Sequence, residues 1–256
     1  MDMSKVLHFR GPIVGALFKE GFSCFGCKAS YIRIHNSLFF HCTNTNKSGG
    51  LSVFRLGIFV ELNECSFLQC SSSERAGAFD IYVDGTDIRS TCVIGCYSQA
   101  WCHAFCIWNR QTAEECTNIS QLCLSNCPNY LTNSCHLLAL RAHDLNTDVW
   151  NNSYCGPLSK MGMYIYSLSE VTVSYIILSY TFGSELMLLG GDIGCCSLRL
   201  AYLAAVNDTE MEEADFCSII WIPVLFTHSF FADNIYKSFT TYYFNSGSAL
   251  FAKSYF

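Results

Sequence analysis

The sequence predicts an all-β chain wound as a right-handed parallel β-helix, a solenoid of about eight coils. Three observations carry that reading. An apolar residue followed three positions later by cysteine recurs as Phe39…Cys42, Phe67…Cys70, Val93…Cys96 and Leu124…Cys127, its cysteines 28, 26 and 31 residues apart. Seven or eight residues after these motifs comes an element led by a small residue, as in Gly50-Leu51-Ser52-Val53, Gly77-Ala78-Phe79-Asp80-Ile81 and Ala104-Phe105-Cys106-Ile107. Within these runs apolar residues alternate, as in Leu51/Val53, Phe79/Ile81, Phe105/Ile107 and Met163/Ile165. A two-residue period marks strands with one buried face.

A unit of 26–31 residues is too short for a propeller blade, and it lacks leucine-rich or helical periodicity. Three short strands per coil fit it. In the coil from Gly49 to Cys70, Gly49-Gly50 is read as the corner, where glycine accepts positive φ. Leu51–Phe54, Val60–Leu62 and Ser66–Leu68 are its three strands, and Cys70 turns the chain out. An aliphatic residue stands five positions before each anchor: Ile34, Leu62, Ile88 and Ile119. Weaker copies read Leu145…Trp150…Ser153, Val173…Leu178…Thr181 and Phe226…Phe231…Asn234. Stacking places Phe39, Phe67, Val93, Leu124, Trp150, Leu178 and Phe231 in one inner column.

Further glycine elements are read at Gly162-Met163, Gly190-Gly191-Asp192-Ile193 and Gly247-Ser248-Ala249-Leu250. The first full coil starts at Gly21-Phe22-Ser23-Cys24, so residues 1–20 form a partial coil within a single domain spanning 1–256. The acidic run 207–215 is expected as a loop insertion, and 246–256 as an incomplete last coil. The coil between 185 and 216 resists registration.

Of the 256 residues, 51% are hydrophobic and 14% charged, with a net charge of −6 and no basic block. That excludes extensive disorder and argues against a nucleic-acid partner. Residues 1–21 make a poor signal peptide, broken by Asp2, Gly11 and Pro12. The apolar runs 171–183 and 216–231 contain polar breaks and read as buried strands rather than membrane spans.

The pairing of Gly-Gly-[Ala/Leu]-[Ile/Val] with Phe-x-x-Asn resembles the repeats of polymorphic outer-membrane proteins, bacterial autotransporter adhesins, and similar coils in protist surface proteins. Gly49-Gly50-Leu51, Gly190-Gly191-Asp192-Ile193 and Phe231-Ala232-Asp233-Asn234 carry the resemblance. It implies a pectin-lyase-like β-helix and an adhesive role at a cell surface. Cysteine, serine or threonine mostly stands where those repeats have asparagine.

The 17 cysteines are read mainly as structural. Cys42, Cys70, Cys96 and Cys127 share one repeat position with Ser153, Thr181 and Asn234, none of which keeps thiolate chemistry. Cys24-x-x-Cys27, Cys102-His103-x-x-Cys106 and Cys123-x-x-x-Cys127 lack the two well-spaced pairs of a zinc site. The vicinal Cys195-Cys196 has no place in the pattern.

For catalysis, the outward column after the glycine corner reads Ser52, Asp80, Cys106, Leu138, Tyr164, with only one acid. Asp84 and Asp87 sit in a turn-like Val-Asp-Gly-Thr-Asp. Sequons occur at Asn46, Asn118, Asn151 and Asn207. No catalytic, cofactor or metal residue is assigned. The expectation is a non-catalytic structural or adhesive solenoid, part of a larger surface protein, with a glycan or cell-surface protein as partner and a tendency to associate end to end. The alternative is a carbohydrate-active enzyme on the same scaffold.

Overall fold

The computed structural model describes residues 13–24, 30–109, 117–129, 136–142, 145–153, 156–157, 161–167, 171–179, 182–191, 197–206, 209–232, 238–243 and 248–255. Every strand pair among them is parallel, and no helix occurs among them. The chain is a parallel β-solenoid. Its longest ladder passes through ten strands, from Ile13–Val14 to Ser248–Ala252, and a second sheet stacks nine, from Phe22–Cys24 to Ser238–Tyr243. The count therefore departs slightly from the eight coils expected.

The coil at Gly49–Cys70 shows how the parts are placed. Leu51–Phe54 joins the nine-stranded sheet, while Phe59–Asn63 and Ser66–Leu68 join the large sheet. In later coils those last two strands run together as Gly85–Ile94, Thr117–Ser125 and Leu145–Ser153. A short extra sheet of Thr43–Asn44, Ser71–Ser72 and Tyr97–Ser98 closes the remaining side.

The bends come from residues other than the expected glycines. Gly49 and Gly50 are absent from the positive-φ positions. The left-handed corners are Asn36, Glu64, Ser90 and Gln121 between the first two strands of the large sheet, and His41, Gln69, Gly95 and Asn126 after the second. For residues other than glycine this conformation costs about 1–2 kcal/mol each. Glycine is needed at Gly49 and Gly77 for a different reason. A Cβ on Gly49 would lie 2.5 Å from the Gly77 carbonyl oxygen, and one on Gly77 would lie 2.4 Å from that of His103. Successive coils touch backbone to backbone there.

The core runs along the axis. Phe39 stacks on Phe18 at 4.3 Å and on Phe67 at 4.4 Å, with planes within 8° of parallel. Phe79 stacks on Phe105 at 4.8 Å, and Phe226 on Phe251 at 4.6 Å. These spacings follow the strand separation of a sheet. No coil buries its inner face alone, so each depends on its neighbours.

The expected columns hold through Leu124 and then change. Leu124 pairs with Asn152, not Trp150, and Asn152 pairs with Leu178. Trp150 is two positions early, opposite Leu122. The coil that resisted registration supplies Ala205 between Leu178 and Phe231. Gly190 and Gly191 end the strand Phe182–Gly191 instead of opening one. Ser248–Ala252 belongs to the large sheet, opposite Pro223–Thr227, so it does not continue the glycine-led column. The acidic run mostly falls inside the strand Thr209–Ile220, where the register shifts between Glu210 and Asp215.

Among the described residues no helix is long and apolar enough to cross a membrane. The described parts of the runs 171–183 and 216–231 fall mostly in strands, with bends at Tyr175, Trp221 and His228.

Candidate functional site

The cysteine column is a ladder of thiol-to-carbonyl hydrogen bonds. Each thiol donates to the anchor residue of the preceding coil: Cys42 to Phe18 O at 3.4 Å, Cys70 to Phe39 O at 3.4 Å, Cys96 to Phe67 O at 3.4 Å and Cys127 to Val93 O at 3.6 Å. All four are fully buried. Hydrogen bonding with Cys70, then burial, pushes the Cys42 thiol far above the ordinary range. Cys70 is drawn down by Cys42 but driven up by Cys96 and burial, ending at about 12. Such thiols are protonated at neutral pH, the inert state of a buried structural cysteine.

The register removes Ser153 from this column, since Ser153 pairs with Ser125 one position past the anchor. Three residues after Asn152 the sequence has Cys155, so the cysteine spelling extends one repeat further than expected. Cys155, Thr181 and Asn234 lie outside the described residues.

A second polar column lies two positions before the anchor, where Ser37, Cys65, Thr91 and Ser229 are buried and Leu122, Ile176 and Leu203 replace them. Cys65 donates to Ile34 O at 3.2 Å, and burial raises its thiol to about 11. Serine, cysteine and threonine interchange in four of these coils, and leucine or isoleucine fills the same place in three others.

The cysteine pairs weighed for zinc are dispersed. Cys24 is disulfide-bonded, and Cys27, Cys195 and Cys196 lie outside the described residues. Cys123 faces outward in register with Cys92, while Cys127 is in the core. Cys102 and Cys106 meet in a small cluster with Ala76 and Ala139. His103 instead accepts the Ser98 backbone N–H at Nδ1, at 3.4 Å, and burial lowers its pKa to about 4. No group of three His, Cys, Asp or Glu among the described residues is arranged to hold a metal ion.

The expected outward column is corrected at one member. It reads Ser52, Asp80, Cys106, Ala139, Tyr164, because Leu138 pairs with Phe105 and is buried in the main core. Much of this column is covered. Ser52, Asp80, Cys106 and Ala139 are buried. Arg75 reaches Asp80 at 3.4 Å, and burial still raises the Asp80 carboxyl to about 6 against that attraction.

The richest polar cluster lies on the outer face of the large sheet. Arg33, Glu61 and Asp87 occupy one register column, with His35, Asn63 and Arg89 two positions on. Arg33 Nε lies 3.1 Å from Glu61 Oε2, which also accepts the Tyr31 hydroxyl at 3.1 Å. His35 Nε2 lies 2.9 Å from Glu61 Oε1, without the alignment of a hydrogen bond. Arg89 grips Asp87 with two bonds of 2.9 and 2.6 Å, a bidentate fork.

Asp87 is thus a strand residue, not a turn former. Asp84 does act at a corner, accepting the Gly57 N–H at 2.7 Å. The sequence signal for the cluster was present as Arg-x-His, Glu-x-Asn and Asp-x-Arg at equal repeat positions, but only the strand register shows that they adjoin.

No protein-family model matches the chain, and comparison with curated proteins and with solved structures finds no match.

Proposed function

We propose that the protein is a non-catalytic β-solenoid that holds a long outer surface for adhesion or assembly, in the manner of the pectin-lyase-like surface-protein repeats that its sequence resembles. The observation that carries this reading is the state of the outer-face acids. Glu61 is held by Arg33, Tyr31 and His35, and Asp87 by both arms of Arg89. A carboxylate whose oxygens are already taken by such partners is not presented to a substrate, and geometry is the first requirement of a general acid or base. The core supports the reading as well, since a rigid axial stack suits a spacer or display scaffold.

A carbohydrate-active enzyme remains the second reading, favoured by one specific observation. Glu61 and Asp87 are strand partners in adjacent coils, so two carboxylates stand one strand apart on the outer side of the large sheet. Incubation with a panel of polysaccharides, followed by chromatography of the products, separates the two. The proposal expects retention without shortened products. Release of oligosaccharides, abolished by Glu61→Gln or Asp87→Asn, would overturn it.

A further inference from the structure

The nine-stranded sheet carries a second outward column beside the covered one. Its register partners are Phe54, Tyr82, Trp108, Arg141 and Tyr166, followed by Gly190, Ile220 and Tyr243. Tyr82 is 40% exposed, and Phe54, Trp108, Arg141 and Tyr166 are half-buried. A Cβ on Gly190 would come within 3.1 Å of the Tyr166 ring, which lies over that glycine. Exposed Trp101 widens the strip, meeting Trp108 edge-on at 6.1 Å.

Arg141 is the anomaly on this track. Its guanidinium carbon is 5.8 Å from the Trp108 ring centre and 5.1 Å from that of Tyr166. Its Nε is buried and has no hydrogen-bond partner among the described residues. Arg141 does not enter the ion pairs found among the described residues, which are those of Arg33, His35, Arg75 and Arg89. An arginine is a planar fork of donors that matches a carboxylate, and the half-buried Arg141 is in no ion pair among the described residues. At the other end Arg75 lies over Phe54 at 4.9 Å, while its partner Asp80 is buried beneath the strip. The track is therefore cationic on a chain whose net charge is −6.

We propose that this strip binds an extended acidic glycan, with the carboxylate of one sugar seated on Arg141 between Trp108 and Tyr166. Aromatic rings one coil apart, at about 4.8 Å, match the rise of successive pyranoses in an extended chain. Aromatic faces take the apolar faces of sugars, and the guanidinium supplies the polar anchor that fixes orientation. The proposal deepens the reading of the protein as a binding scaffold and rests on it.

Calorimetric titration of the whole chain tests it. The probes are alginate oligosaccharides for carboxylated sugars, dextran sulfate for sulfated ones, dextran for neutral ones and polyglutamate for an acidic peptide. The expected result is binding of alginate oligosaccharides in preference to the other three. Affinity should fall tenfold or more in Arg141→Gln, less in Arg141→Lys, and several-fold in Tyr82→Ala, with melting temperatures close to wild type. Equal affinity in Arg141→Gln, or preference for dextran sulfate or polyglutamate, would overturn the assignment. Absence of binding to every probe would overturn it too. Chromatography of the same samples keeps the two ideas apart. Shortened oligosaccharides would contradict the non-catalytic reading while leaving the Arg141 contact standing, whereas absent alginate binding without products, with other polysaccharides still retained, contradicts only this inference.

Discussion

Replacing Phe67 with alanine should be among the most damaging single changes in the chain. The side chain is fully buried, stacked on Phe39 at 4.4 Å and tilted against Phe79 at 5.1 Å. Large-to-small deletions at such sites cost about 3–5 kcal/mol. Part of that, about 0.5–1.5 kcal/mol per pair, is the aromatic geometry itself. The cavity cannot close easily, because the coils above and below are fixed by continuous ladders of backbone hydrogen bonds.

Cys70→Ser, three residues away and equally buried, should cost less than about 2 kcal/mol, since a hydroxyl can donate to the Phe39 carbonyl that the thiol now serves. Ser37, Cys65 and Ser229 already interchange in the neighbouring corner column, which supports that comparison. Urea unfolding followed by circular dichroism measures both variants. If Cys70→Ser were the more damaging, the cysteine ladder would have a role beyond filling a corner.

Three further outcomes follow from the geometry. Gly77→Ala should destabilise by about 1–3 kcal/mol through contact with the His103 carbonyl, whereas Gly57→Ala, at φ 76° with nothing nearby, should cost about 1 kcal/mol from backbone strain alone; equilibrium unfolding of the pair shows the order. In thiol labelling of the native protein, half-exposed Cys92 and Cys123 should react well before Cys42, Cys70 and Cys96, with mass spectrometry of digests reporting the sequence of events.

The third outcome concerns pH. Asp80 titrates at about 6 when folded and 3.8 ordinarily, so the folded form holds the extra proton and stability falls as pH rises from about 4 to 6. His103 titrates near 4 when folded and 6.5 ordinarily, so stability rises as pH climbs from about 4 to 6.5. The two slopes oppose each other, each on the order of 2–3 kcal/mol. Asp80→Asn should leave stability rising across that window, and His103→Gln should leave it falling. Matching flat profiles in both variants would contradict the assignment.

The sequence carried the fold wherever the repeat was spelled in large apolar residues. Phe39, Phe67, Val93 and Leu124 announce their column because each fills the same inner space. It misled where a polar residue occupies that position. Asn152 is the register partner of Leu124, and nearby Trp150 looked like the better anchor because hydrophobicity was the only guide. Ala205 was invisible for the same reason, its small side chain giving no signal against the apolar background.

Glycine misled in a different way. The spacing at Gly49 and Gly77 was right, but the cause is close coil contact, and left-handed bends fall on Asn36, Glu64, Gln69 and Gln121, types that do not announce them. Glu61 and Asp87 were separated by 26 residues of sequence, so their adjacency follows only from strand register. Arg141 was likewise unreadable, since its meaning depends on Trp108 and Tyr166 in the flanking coils.

The account stands on one geometric claim, that residues one repeat apart lie one strand apart along a straight axis. Spin labels on non-cysteine handles at Arg33, Thr172, Arg199 and Leu250, all in one outward column, test it by pulsed dipolar spectroscopy. From position 33 the ladder predicts about 24 Å to 172, 29 Å to 199 and 38 Å to 250, growing by about 4.8 Å per coil. Distances that fail to grow in that order, or that stay near one value for all three pairs, would contradict the solenoid.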